Sequence, residues 1–185
     1  MNNTKAAVRF ILISTAIILF FASPTLSQSR DPLTDAESDL LRYHQELDKR
    51  IEVLIKAADR RFAIINGTSL PSTKKLDKEE PDWGEVPKGT RTELLGDIAG
   101  ILDEAINKID DVSLRDQKNS SPSKSLRKLA EAARRYLTML EMKNRVTGPD
   151  ENAAITRVAD NANQIIEAES KLSPASEETP KKKKP

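Results

Sequence analysis

The stretch Thr34–Asn66, TDAESDLLRYHQELDKRIEVLIKAADRRFAIIN, decides the fold class. Ala36, Leu40, Tyr43, Leu47, Ile51, Leu54, Ala58, Phe62 and Ile65 recur at an average interval of about 3.6 residues, the α-helical repeat. Thr34 and Glu37 have the spacing of a capping box, in which hydroxyl and carboxylate satisfy each other's free backbone N–H groups. Asn66-Gly67 is a stop signal. The reading is one long helix over residues 34–66.

Three further helical patterns follow. Residues 90–112 open on a second capping box, Thr90 with Glu93, and place Leu95, Ile98, Leu102, Ala105, Ile109 and Val112 at alternating steps of three and four. Residues 123–145 carry Leu126, Leu129, Ala133, Leu137 and Leu140 and end before Gly148-Pro149. Residues 150–172 carry Ile155, Val158, Ala162, Ile165 and Leu172. Nowhere do β-branched alternation and hairpin turns coincide. The expectation is an all-α, four-helix-bundle-like domain over 28–172, its last three helices antiparallel in succession. The connection 67–89 contains Pro, Gly and the lone Trp83, and is long enough to leave the direction of the first crossover open.

The ends of the chain read differently. Lys5 and Arg9 precede Phe10–Ala22, an acid-free run of apolar and small hydroxyl residues, and Thr25 and Ser27 are small residues before Gln28. Residues 1–27 therefore read as a cleavable signal peptide. Thirteen residues at about 1.5 Å each reach roughly 20 Å, short of a hydrocarbon core of about 30 Å. Export to a periplasm or the exterior is expected, with membrane contact through this segment only if it is retained. Residues 173–185 form a polar tail closing on Lys181–Lys184, expected to be disordered and at most weakly attracted to anionic surfaces.

Composition narrows the chemistry. The 185 residues include no Cys and one His, which removes disulfides, thiolate cofactor ligation and a His-based zinc site within one chain. Neither a cofactor nor a metal site is expected. A base mechanism would need His44, with Asp48 one turn on as its orienting partner, but no nucleophile or oxyanion motif accompanies it. A di-iron bundle would need Glu three residues before His44, where Leu41 stands. Asp97, Glu104 and Asp111 recur every seven residues and read as a solvated acidic face. No phosphate loop, nucleophile elbow or zincin motif occurs. No catalytic residue is assigned, and the chain is not expected to be an enzyme.

Charge is unevenly placed. Residues 123–145 hold seven basic side chains against Glu131 and Glu141, whereas 90–112 hold two bases and six acids. The two helices are expected to pair by opposite sign. Aromatics suited to base stacking are too few for nucleic acid binding to be expected. The first helix, at about 33 residues, outruns its neighbours by roughly ten. Its surplus stripe is expected to be covered by Leu70, Leu76, Trp83 and Val86 folding back, or else to meet another subunit or client. Trp83, Phe62, Arg127, Arg134 and Arg135 are the candidate interaction residues. Asn66-Gly67-Thr68 and Asn119-Ser120-Ser121 match the glycan acceptor pattern. The functional expectation is a non-enzymatic interaction, scaffold or chaperone-like accessory factor of the envelope, with protein partners or self-association. The alternative is a binder of a small apolar ligand between the helices.

Overall fold

The computed structural model describes residues 30–72, 79–116, 119–141 and 148–172. Five helices and no strand occur among them: α1 Asp35–Tyr43, α2 Leu47–Asn66, α3 Arg91–Arg115, α4 Ser121–Glu141 and α5 Pro149–Ser170. The all-α class and bundle-like packing read from the sequence are present. Both capping boxes form, at Thr34/Glu37 and Thr90/Glu93. Gly67 ends α2 at φ 65°, a left-handed conformation that glycine adopts without steric cost because it has no Cβ. Pro149 opens α5, where its missing N–H has no helical partner to lose. Residues 1–29 and 173–185, Leu76 and the expected end of the third helix lie outside the described residues. No described helix is long and apolar enough to cross a membrane.

The long first helix is corrected. The chain bends at 44–46, and α1 doubles back along α2. Nothing in His44-Gln45-Glu46 breaks a helix by itself, since neither Pro nor Gly is present. The tertiary pull is Glu37, whose fully buried carboxylate meets Arg60 and Arg61. On a straight helix, 23 residues at about 1.5 Å each would hold Glu37 roughly 35 Å from Arg60. The bend removes the length mismatch as well, because α2 at 20 residues matches α3, α4 and α5 at 25, 21 and 22.

Around the core, α2 neighbours α3 and α4, α5 neighbours the same two, α3 and α4 touch lightly, and α2 and α5 are not in contact. Arg61–Asp97 at one end of α2 and the shared cleft of Leu47 with Val112 at the other make α2 and α3 antiparallel, which settles the first crossover. Asp48–Lys124 and Asp59–Arg135 make α2 and α4 parallel. Arg91–Glu151 and Asp103–Arg157 make α3 and α5 parallel too. The short α3–α4 connection thus crosses the bundle diagonal. Leu40, Ile51, Leu54, Leu95, Ile98, Leu129, Val158 and Ile165 fill the interior. Many positions between them are Ala, including Ala57, Ala58, Ala105, Ala133 and Ala162, which lets the helices approach closely.

Candidate functional site

A buried ionic cluster joins the strap before α1 to α1, α2, α3 and the 79–90 segment. Arg60 Nη1 donates to Glu37 Oε1 at 2.9 Å and to the Trp83 carbonyl at 2.9 Å, while its Nη2 donates to the Glu85 carbonyl at 2.8 Å. Arg61 donates to Glu37 Oε2 at 2.9 Å, to Asp97 Oδ2 at 3.4 Å, to the Ala57 carbonyl at 2.8 Å and to the Pro32 carbonyl. Arg30, 42% exposed, donates to Asp97 Oδ2 at 2.9 Å and to the Lys88 carbonyl. Glu37 Oε2 also accepts from the Thr34 N–H at 3.0 Å. One carboxylate therefore caps its own helix and neutralises two guanidinium groups.

Fork-shaped guanidinium donors suit this task, because a buried charge must be both paired and fully hydrogen-bonded to be tolerated. Three arginines stand against two carboxylates. Burial pushes the Asp97 carboxyl above the usual range, against the pull of Arg61 and Arg30. The acidic-face reading of α3 is corrected at this residue: Asp97 is 4% exposed and faces inward, whereas Glu104 and Asp111 stay on the outer side, paired with Lys108 and Arg115. The heptad spacing conceals the difference. The available signal was Arg60-Arg61, two adjacent cations beside Ala58 and Phe62 on a largely apolar stretch.

His44 sits at the bend. Its Nε2 lies 3.3 Å from Glu80 Oε1, and the two side chains are 14% and 7% exposed. Its partner is Glu80 rather than Asp48. Asp48 instead receives Lys128 at 2.9 Å, Lys124 at 3.0 Å and the Ser125 hydroxyl at 3.2 Å. Burial would raise the Asp48 carboxyl, but the hydrogen bonds and charges of Lys128 and Lys124 outweigh it and hold the group below its ordinary value. Glu52 is lowered in the same way by Lys128 and Lys49.

The pairing of the basic and acidic helices takes a different form from the one expected. Lys124, Lys128 and Arg135 of α4 pair with Asp48, Glu52 and Asp59 of α2, and Arg134 pairs with Glu169 of α5. The diagonal placement of α3 and α4 directs these cations to α2 and α5.

Trp83, Phe62, Arg127, Arg134 and Arg135 are not gathered into one patch. Trp83 is buried, with Lys56 Nζ 5.9 Å and Arg60 Cζ 5.4 Å from its ring centroid. Leu70 and Val86 are exposed, so of the described residues expected to cover α2, Trp83 is the one that is buried. Phe62 stacks on Tyr136 in the core, with centroids 4.8 Å apart. Arg134 and Arg135 stand half-exposed on α4, and Arg127 is half-buried seven residues before Arg134, on the same side of the helix.

The clefts are open and rimmed by charge. One of about 340 Å³ is lined by Arg30, Glu93, Asp97, Asp103 and Arg157 beside Gly96 and Gly100. Another of about 540 Å³ at the opposite end holds Asp48, Lys124 and Ser120. Among the described residues no three His, Cys, Asp or Glu side chains converge as a metal site would require. No family model, curated protein or solved structure matches this chain.

Proposed function

We propose that the chain is an exported helical-bundle protein of the cell envelope that works through protein contacts, as a scaffold or accessory factor, without catalysis. The observation that carries this reading is the employment of its reactive groups as cross-braces. His44 is engaged by Glu80, Glu37 and Asp97 by the arginines, and Asp48 by two lysines. A general base or a metal ligand needs a lone pair free of structural partners, and these groups are all engaged by neighbouring side chains, Asp97 and Asp48 at the edges of the two clefts included. Charged rims around the clefts favour polar macromolecular contact over an apolar ligand. Arg134 and Arg135 of α4 are half-exposed and paired with Glu169 and Asp59, so an acidic partner surface would engage them in competition with those pairs.

A photo-crosslinking residue placed at position 134 in the native compartment tests the proposal. The expected result is one discrete adduct that disappears when Arg135 is changed to Glu. Absence of any discrete adduct overturns the interaction reading. A rise in melting temperature with small apolar compounds would instead favour a ligand binder.

A further inference from the structure

We propose that residues 30–43 exchange between two copies of this chain, the partner copy's Glu37 entering the Arg60/Arg61 site. The bend that closes α1 onto its own α2 is imposed by tertiary contacts on a sequence that reads as continuous helix. The apolar stripe keeps its 3.6-residue interval through 44–46, without Pro or Gly. The main-chain series is interrupted between the His44 N–H, which still bonds the Leu40 carbonyl, and the Arg50 N–H, which bonds the Glu46 carbonyl. Straightening 44–46 restores the missing helical bonds. It releases the His44–Glu80 contact and the Gln45 side chain from the Arg42 carbonyl.

A straight helix cannot remain alone, because it uncovers Leu40 and Leu41 and leaves Arg60 and Arg61 without Glu37. The seat it vacates is specific. It requires a carboxylate that two buried guanidinium groups can share, a carbonyl in the place of Pro32, and a ring that packs directly on Gly100, as that of Pro32 does where an added Cβ would lie 3.1 Å away. A second copy of the same segment supplies all three. Exchange then keeps every closed contact and alters only the hinge, which is the condition under which swapped dimers form. The inference stands on the fold alone and needs neither export nor an acidic partner.

The full chain carries no cysteine, so single thiols report the exchange cleanly. A P32C chain and a G100C chain are mixed in denaturant, refolded together at high concentration, oxidised and sized by chromatography with light scattering. The expected result is a dimer fraction containing a disulfide-linked heterodimer that neither variant forms alone. H44A in the otherwise unchanged chain is expected to raise the dimer fraction. E46P, at a position whose φ of −76° already suits proline, is expected to abolish it while helicity is kept. A chain that stays monomeric after concentrated refolding, or a dimer without the cross-linked heterodimer, overturns the proposal. So does a dimer fraction that E46P leaves unchanged.

Discussion

Arg61 Nη2 and Glu37 Oε2 lie 2.9 Å apart in the interior, 24 residues apart in sequence, and this pair holds α1 against α2. A buried pair of this kind adds little net stability relative to apolar packing, yet breaking it is expensive, because the remaining charge has no water to return to. Glu37 is the more exposed of the two to this effect, since two arginines depend on it. Its loss leaves Arg60 with carbonyl acceptors alone and Arg61 with Asp97, which Arg30 already shares.

The first prediction is that Glu37→Gln lowers unfolding free energy by about 3–5 kcal/mol. Glu104→Gln, which removes an outer pair with Lys108, changes it by about 0.5 kcal/mol or less. Urea unfolding of the two variants beside the parent checks the contrast. Equal effects would show that the buried cluster does not govern stability.

A second prediction concerns pH. Asp48 titrates lower in the fold than its unfolded value of 3.8, so its contribution is fully present above that value and is lost as pH falls through the folded one. Lys128 behaves oppositely. Burial would lower it, but Glu52 and Asp48 raise it above 10.5, so its contribution is present below 10.5 and disappears as pH rises through the folded value. Asp48→Asn should flatten the acid limb of stability against pH, and Lys128→Met the alkaline limb. Unfolding midpoints measured from about pH 2 to about pH 11 decide it.

Third, the two glycines on one face of α3 should respond differently to alanine. A Cβ at Gly96 meets nothing within 4 Å, and the substitution should gain about 0.5–1 kcal/mol from helix propensity. At Gly100 the Cβ lies 3.1 Å from Pro32, whose carbonyl Arg61 holds in place, so the gain should be cancelled or reversed. Thermal unfolding of G96A and G100A measures the difference.

A fourth prediction follows from the Phe62–Tyr136 stack. The Tyr136 hydroxyl donates to the Ile55 carbonyl at 3.1 Å, and Tyr136→Phe should lower stability by about 0.5–1.5 kcal/mol with the ring contact retained. Phe62→Ala should lower it by about 3–5 kcal/mol, through lost burial and a cavity. Burial, and after it the nearby Asp59 carboxylate, push the Tyr136 phenol well above its ordinary value. Ultraviolet titration should therefore find it un-ionised until the fold opens. Ionisation in the native state near the ordinary value would contradict the packing described.

Much of this molecule was legible in the chain, and particular residues explain where legibility ends. Thr34, Glu37, Thr90, Glu93 and Gly67 act over three or four residues, so their roles as caps follow from spacing alone. The apolar intervals of 95–112 and 150–172 marked α3 and α5, since burial of one stripe needs only the helical repeat. Glu37 had a second role that its spacing could not express. Its partners Arg60 and Arg61 are neighbours only after the chain turns at His44, and the turn has no local cause in the residues that make it.

Helix class, helix caps and the uneven charge were therefore determined by the sequence by itself, because each depends on side chains within a few turns of one another. The bend, the diagonal placement of α3 and α4, the inward face of Asp97 and the pairing of His44 with Glu80 were decided by tertiary structure. For the bend, the inward Asp97 and the His44–Glu80 pair the physical reason is the same. Desolvated charge must find a counter-charge wherever the fold can bring one, and that demand outweighs the few tenths of a kcal/mol per residue of local helical preference that would have kept the first helix straight.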